Sequence, residues 1–246
     1  MKQIETQTSE KRNKKYNDWA RKRPAYVFLA IPILLAVVMG INEMVETRTW
    51  IKAGSYLLSI SAVSTALFFL LKLTLRDIAK LYPEKILFSD RLKPTNRLLY
   101  SNDDNYSEER KTEIRQKIKA KKGIDLLKLK MKTYENKKYV KRVNEAVSWL
   151  LDVTRFDDIL FEYNCFYGFW RNLTAAILMD SLFLFGLAAF NKWIYTLPLG
   201  GAFVWMAFIL LLLSIVTTMI TYKNGMVFAR KVYDVFMNLG DDEEYY

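Results

Sequence analysis

Four long apolar segments are the feature that most constrains how this chain can fold. They cover residues 24–42, 54–75, 172–191 and 198–221. Each is close to the ~20 residues that an α-helix needs to cross the hydrocarbon core of a bilayer. The rest of the sequence is too polar to surround four such segments as core helices of a soluble protein. We therefore expect an all-α membrane protein with four transmembrane helices.

The distribution of basic residues predicts the orientation of these spans. Residues 1–23 contain eight Lys or Arg and three acids, and residues 72–171 contain 23 basic and 15 acidic residues. The two short loops near 43–52 and 192–197 contain few basic residues. Lys and Arg in short segments that flank a span stay in the cytoplasm. We therefore expect both termini and the central region to be cytoplasmic.

This orientation divides the chain into five segments. They are a basic cytosolic N-terminal segment (1–23), a transmembrane hairpin (24–75), a basic cytosolic domain (76–171), a second transmembrane hairpin (172–221) and a cytosolic C-terminal tail (222–246). The central domain, inserted between the two hairpins, is small and buries only a modest core by itself. We therefore expect other subunits or the membrane to contribute to its stability.

Two helices are expected in the cytosolic domain. Ser107 is a typical N-cap, two glutamates follow it, and Gly123 is a typical stop, so the sequence predicts a helix over residues 108–122. From Lys137 an apolar stripe with helical spacing begins again. We expect this second helix to reach about Tyr163 and to lead into the third span.

A dense group of lysines begins in the last turns of the first predicted helix and continues toward the second. Residues 117–132 contain seven lysines, and over 127–132 apolar residues alternate with lysines. The alternation predicts a short strand with its lysines on one face, with a helix as the alternative, so the domain is mainly helical or α+β. Cations interleaved with tyrosines suit phosphate contacts and base stacking. The candidate ligand-binding residues are Lys117, Lys119, Lys121, Lys122, Lys128, Lys130, Lys132, Lys137, Lys138, Lys141, Arg142 and Tyr134. A solvated surface, contact with anionic lipid and the positive-inside signal itself are the alternatives.

Enzymatic chemistry is not indicated by these residues. The chain has no histidine and one cysteine, Cys165, which excludes Ser-His and Cys-His nucleophile pairs and a disulfide within the chain. Glycine-rich phosphate loops and zinc-protease motifs are absent from the sequence. The adjacent acids at 103–104 and 157–158 are interpreted as surface or helix-capping residues. We therefore predict no catalytic residue, no metal site and no cofactor.

Polar residues within the predicted spans are the other candidates. Asp180 is the only acid in them. An ionised group at that depth is costly and usually faces a bundle interior or a wet cavity. Ser61, Thr65, Thr217 and Thr218 are the other intramembrane polar candidates. Packing between helices is the first interpretation for them, and the lining of a pore is the alternative.

The segments "LKPTNRLLYSNDDN" (92–105) and "FEYNCFYGFWRNL" (161–173) are the most distinctive stretches around the basic domain. The whole arrangement, four spans with a basic cytosolic insert, resembles the channel effectors of Hailong-type anti-phage systems, which a bacterial nucleotidyltransferase controls. The resemblance implies a homo-oligomeric ion channel, with a tetramer favoured, in the bacterial inner membrane. It also implies that the cytosolic domain binds an oligonucleotide, such as an oligodeoxyadenylate, made by a partner nucleotidyltransferase, and that this ligand keeps the pore shut. The alternatives are a membrane scaffold that recruits an acidic cytosolic partner and a small transporter that uses Asp180.

Overall fold

The computed structural model describes residues 2–34, 65, 68–70, 74–84, 87–88, 93–100, 104–127, 137–193 and 200–240. These residues form helices and connecting turns, with no strand among them, which confirms the mainly helical prediction. The predicted strand over 127–132 lies outside the described residues except for Leu127, which is in a bend. Residues 35–42 of the first predicted span also lie outside them, as does the second predicted span apart from residues 65, 68–70 and 74–75.

Eight helices are present in the described part of the chain. They are α1 (Lys2–Tyr16), α2 (23–34), α3 (74–79), α4 (Pro94–Arg97), α5 (Glu108–Lys122), α6 (Lys137–Val153), α7 (Asp158–Trp193) and α8 (Gly200–Asn238). A wider turn with π-helical hydrogen bonds, Asn17–Lys22, joins α1 to α2. A similar segment, Lys80–Glu84, follows α3, and Tyr82 leaves the helical conformation there with φ −145° and ψ 129°. This break fits the steric restriction that Pro83 imposes on the residue before it.

Two of these helices are long and apolar enough to cross a membrane. The qualifying segments are Asp158–Phe190 with 33 residues and Gly201–Asn238 with 38 residues. They contain nearly all of the third and fourth predicted spans. Only 39% and 22% of their most apolar windows are buried, whereas a core helix of a soluble protein is mostly buried. Large apolar side chains such as Trp205, which is 72% exposed, therefore form a surface that suits lipid.

The chain folds as two compact units. Unit 1 comprises Met1–Glu84 and Gly168–Thr221, and unit 2 comprises Lys85–Tyr167 and Tyr222–Tyr246. Helices α7 and α8 each contribute residues to both units. Unit 2 therefore differs from the basic domain predicted from the sequence, 76–171, at both ends, and it also includes Tyr222–Tyr246.

The end of α8 belongs to the core of unit 2 and is not a tail. Residues 222–238 continue the helix, and Met226, Ala229, Tyr233 and Phe236 are buried. Their spacing of three and four residues places them on one face of the helix. They pack with buried residues that follow α4 or lie on α5 and α6, namely Leu98, Leu99, Tyr100, Ile114, Ile118, Tyr139, Val143, Ala146, Val147 and Leu150. The sequence analysis missed this helix because its apolar stripe follows directly on the fourth predicted span.

The start and the end of α5 confirm the prediction from the sequence. The hydroxyl of Ser107 accepts a hydrogen bond from the backbone N–H of Arg110 at 3.3 Å. Gly123 follows the helix with a φ of 73°, a left-handed conformation in which glycine is favoured.

The prediction that the helix from Lys137 runs to Tyr163 is wrong. Helix α6 ends at Val153, a turn follows, and α7 begins at Asp158. The carboxylate of Asp157 accepts a hydrogen bond from the backbone N–H of Leu160 at 2.6 Å. Asp157 therefore caps the new helix, in agreement with its interpretation as a capping acid.

Candidate functional site

Two of the candidate lysines on α5 point at the end of α8. The ammonium group of Lys117 donates hydrogen bonds to the carbonyls of Met237 at 2.9 Å and Leu239 at 2.7 Å. The ammonium group of Lys121 donates to the carbonyl of Gly240 at 2.6 Å. The last carbonyls of a helix have no partner within it and form the negative end of its dipole. Lys117 and Lys121 thus act together as a cap on α8.

Two further candidate cations are held by Asp125. Lys119 Nζ lies 3.0 Å from Oδ2 of Asp125, and Arg142 Nη1 donates to the carbonyl of Asp125 at 3.3 Å. Oδ1 of the same carboxylate accepts a hydrogen bond from the backbone N–H of Leu127 at 3.0 Å. These contacts fix the loop that leads from α5 toward the lysines at 128–132.

The remaining described candidates are on the surface. Lys122 ends α5, and Lys137, Lys138 and Lys141 lie in the first two turns of α6. All four are exposed. Lys128, Lys130, Lys132 and Tyr134 lie outside the described residues. The described candidate ligand-binding residues therefore fall into three groups: those that contact the end of α8, those that contact Asp125, and those that are exposed.

Two buried cations on α5 were not predicted from the sequence. Lys111 is 1% exposed and Arg115 is 7% exposed. Lys111 Nζ lies 2.9 Å from Oε1 of Glu108, Arg115 Nη1 lies 3.6 Å from Oε2 of Glu108, and Arg115 Nη2 donates to the carbonyl of Leu99 at 2.6 Å. The available signal was the acid three residues before Lys111, a spacing at which helix side chains meet.

Asp180 occupies a buried position on α7. It is 1% exposed, and its Oδ1 has no hydrogen-bond partner among the described residues. No other ionisable side chain lies in α7 between Asn172 and Phe190. Burying a charge without a partner is costly. The carboxyl group therefore requires a proton, a bound cation, water or a group from another molecule.

Hydroxyl groups link α7 to α8 within unit 1. The hydroxyl of Ser181 donates to the carbonyl of Ala207 at 2.8 Å, and the hydroxyl oxygens of Thr174 and Thr221 lie 3.1 Å apart. Such contacts are typical of helix packing in membranes.

The predicted pore residues Thr217 and Thr218 also make bonds within their own helix. Both hydroxyls donate to the carbonyl of Ser214, at 3.1 and 2.6 Å. Tyr82 Oη lies 3.4 Å from Oγ1 of Thr218. Thr65 is exposed, and Ser61 lies outside the described residues. These bonds favour the packing role for the two threonines of α8.

A close contact joins the N-terminal helix to α7. The side chain of Asn172, 1% exposed, donates from Nδ2 to the carbonyl of Ala20 in the π-helical turn. A Cβ added to Gly168 would lie 2.8 Å from Oη of Tyr16 and 3.0 Å from Cβ of Ala20. Gly168 and Asn172 therefore set how closely this helix approaches. The sequence analysis did not single out either residue for this role.

The structure gives no sign of metal chemistry in the described part of the chain. No group of three or more His, Cys, Asp or Glu side chains that could hold a metal ion occurs there. Cys165 is a buried thiol.

Comparison with known proteins adds no family to these observations, since no protein-family profile, no curated protein and no solved structure matches the chain.

Proposed function

We propose that the chain is a homo-oligomeric membrane ion channel, controlled by a nucleotide or oligonucleotide signal that binds the basic unit 2. The buried carboxyl group of Asp180 is the observation that carries the proposal. The resemblance to Hailong-type channel effectors suggests the other parts of the proposal. These are a tetramer in the bacterial inner membrane, an oligodeoxyadenylate made by a partner nucleotidyltransferase, and a role in anti-phage defence.

The channel part of the proposal rests on what Asp180 needs. An ionised carboxylate at the centre of a span costs ~2.5–3.5 kcal/mol on insertion scales, so its presence requires compensation. Oδ1 finds no compensation from the described residues of its own chain. In a symmetric oligomer, α7 of each subunit would bring one Asp180 toward a common axis only if neighbouring helices part to uncover this side chain, which is 1% exposed in the single chain. A ring of carboxylates of this kind attracts cations into a pore.

The ligand part rests on the exposed cations of unit 2. Lys122, Lys137 and Lys141 are exposed and can be reached by an anion from solution. Neutralising several phosphates with lysines releases counterions, so the affinity should fall steeply with salt. Helices α7 and α8 contribute residues to both units, which gives a covalent route from this unit to the spans. The ligand gates the pore only if it binds the open and closed states with different affinities.

A liposome flux assay tests the proposal. Purified protein is reconstituted with a K⁺ gradient, and flux is followed with and without a short oligodeoxyadenylate. We expect K⁺ flux that falls when the oligonucleotide is added on the cytoplasmic side. Slow, saturable uptake would identify a transporter that uses Asp180. The absence of any flux, together with capture of an acidic protein, would identify a scaffold.

A further inference from the structure

The contact between two lysines of α5 and the end of α8 can respond to an anionic ligand. We define the α8 latch as the ammonium groups of Lys117 and Lys121 with the carbonyls of Met237, Leu239 and Gly240. We propose that the α8 latch is a switch, in which a phosphate-bearing ligand draws the two ammonium groups from these carbonyls and so releases the last turn of α8. This inference rests on the proposed binding of an anion to unit 2.

The geometry of the latch makes it sensitive to anions. Its three hydrogen bonds, at 2.9, 2.7 and 2.6 Å, join charged donors to neutral carbonyl oxygens. A hydrogen bond between an ammonium group and a phosphate oxygen has charge on both sides and is stronger. Phosphate is therefore a stronger partner for these ammonium groups than the three carbonyls of the latch.

The surroundings allow this exchange. Lys117 and Lys121 are half-buried, so neither is sealed in the core, and the next residue, Lys122, is exposed. A lysine carries its charge on a flexible four-carbon stem, which lets the ammonium group turn without movement of the backbone. Lys122 lies in the same last turn of α5 as Lys121 but points about 100° around the helix from it. Its charge therefore attracts an anion to this end of α5.

Release has a defined structural consequence. The carbonyl of Met237 in the last turn of α8, and those of Leu239 and Gly240 just after the helix, would lose these partners. The last turn would then open more often, because local opening depends on such contacts. Helix α8 is unbroken from Gly200 to Asn238, so the latch holds the end of the helix that also contains the fourth predicted span.

Hydrogen exchange of the full-length protein in nanodiscs tests the latch. Inorganic tripolyphosphate is the probe, and sodium sulfate at equal ionic strength is the control salt. In the wild type, tripolyphosphate should speed exchange of the amides in residues 236–240 by at least about tenfold, since one hydrogen bond to a charged group is worth about that factor. In the double variant Lys117→Met/Lys121→Met, exchange of these amides should be fast already and should not respond. Methionine keeps the apolar stem beside the Phe236 ring, which lies 5.4 Å from Nζ of Lys117.

The matched control is Lys137→Met/Lys141→Met, which removes two exposed lysines of α6 and the same charge. It should weaken tripolyphosphate binding in calorimetry but keep the slow basal exchange of 236–240. If the double variant of the latch fails to fold, Lys121→Met alone removes the bond to Gly240. Tripolyphosphate that binds the wild type without changing exchange at 236–240 overturns the latch and leaves the proposed function standing. Failure of both tripolyphosphate and oligodeoxyadenylate to bind overturns the latch together with the ligand part of the proposed function.

Discussion

At the scale of single residues, burial decides what each charge of unit 2 does. Lys111 and Lys122 lie on the same helix, yet the first is 1% exposed and paired with Glu108 while the second faces solvent. The number of cations in unit 2 could be read from the sequence, but the contacts of their side chains could not. The partners of Lys117 and Lys121, for example, lie about 120 residues away in the chain. Asp180 could be identified as a candidate site from the sequence, since an acid within an apolar segment is recognisable without any knowledge of contacts.

Tyr106 should make unit 2 sensitive to alkaline pH. Burial, with a smaller effect from Asp234, raises the pKa of Tyr106 to about 12. An unfolded tyrosine loses its proton near pH 10. Between these values the unfolded state binds fewer protons, so stability is lost as the pH rises above about 10. Thermal unfolding at pH 8 to 11 should show a smaller loss of Tm for Tyr106→Phe than for the wild type.

Burial also raises the pKa of Tyr139 and Tyr233, so part of the alkaline loss remains in the Tyr106 variant. Equal losses of Tm in the wild type and in Tyr106→Phe would contradict the assignment to Tyr106.

Asn172 should be important for the N-terminal contact of unit 1. Asn172→Ala removes the side-chain donor to the carbonyl of Ala20, a residue that is fully buried. The expected cost is about 1–3 kcal/mol in the free energy of unfolding, measured by denaturation in detergent. Asn164→Ala changes a half-buried asparagine on the same helix and serves as the control. Equal effects of the two substitutions would argue against a specific role of the bond.

At the scale of elements, the bounds of a helix were predicted correctly where the sequence has a capping residue at its start and a stop residue at its end. Helix α5 has a capping serine and a glycine stop, and its bounds match the prediction. The break between α6 and α7 was missed although the acids at 157–158 were interpreted as surface or capping residues, because no Gly or Pro at 154–158 marks an end of the helix. Residues 222–238 were missed for a related reason: a helix that leaves the membrane and enters a core shows no break in its pattern.

Asp157→Ala should destabilise the start of α7. The substitution removes the acceptor of the Leu160 N–H and should cost about 0.5–2 kcal/mol. Asp152→Ala is a matched control, because it removes an exposed acid near the end of α6 where a negative charge is unfavourable. Chemical denaturation of both variants measures the difference. The assignment of the cap fails if the control is the more destabilised protein.

At the scale of the whole molecule, the two long helices were predictable from hydropathy alone, since length and composition suffice for that inference. The assembly of unit 2 could not be predicted from hydropathy. Residues 222–238 join a core that is built from residues before 168. No pattern within either segment indicates that they meet. Orientation in a membrane remains a prediction from the basic residues.

The orientation can be measured by labelling. Gln116 and Asn144 are exposed on unit 2, and each is changed to cysteine in a chain that carries Cys165→Ser. A thiol reagent that cannot cross the membrane should label both positions only after the cytoplasmic side is opened, because positive loops stay inside. A cysteine at position 46, in the predicted outer loop, should be labelled in intact cells. The reverse pattern would invert the proposed topology.

The role of Asp180 in conduction is the central claim, and single-channel recording of Asp180→Asn in planar bilayers tests it most directly. The substitution keeps the size of the side chain and removes its charge. If Asp180 lines the cation pathway, the variant should assemble as the wild type does in a sizing experiment, yet conduct fewer cations or lose selectivity for them over anions. Unchanged conductance and selectivity, with an unchanged oligomer, would contradict the account.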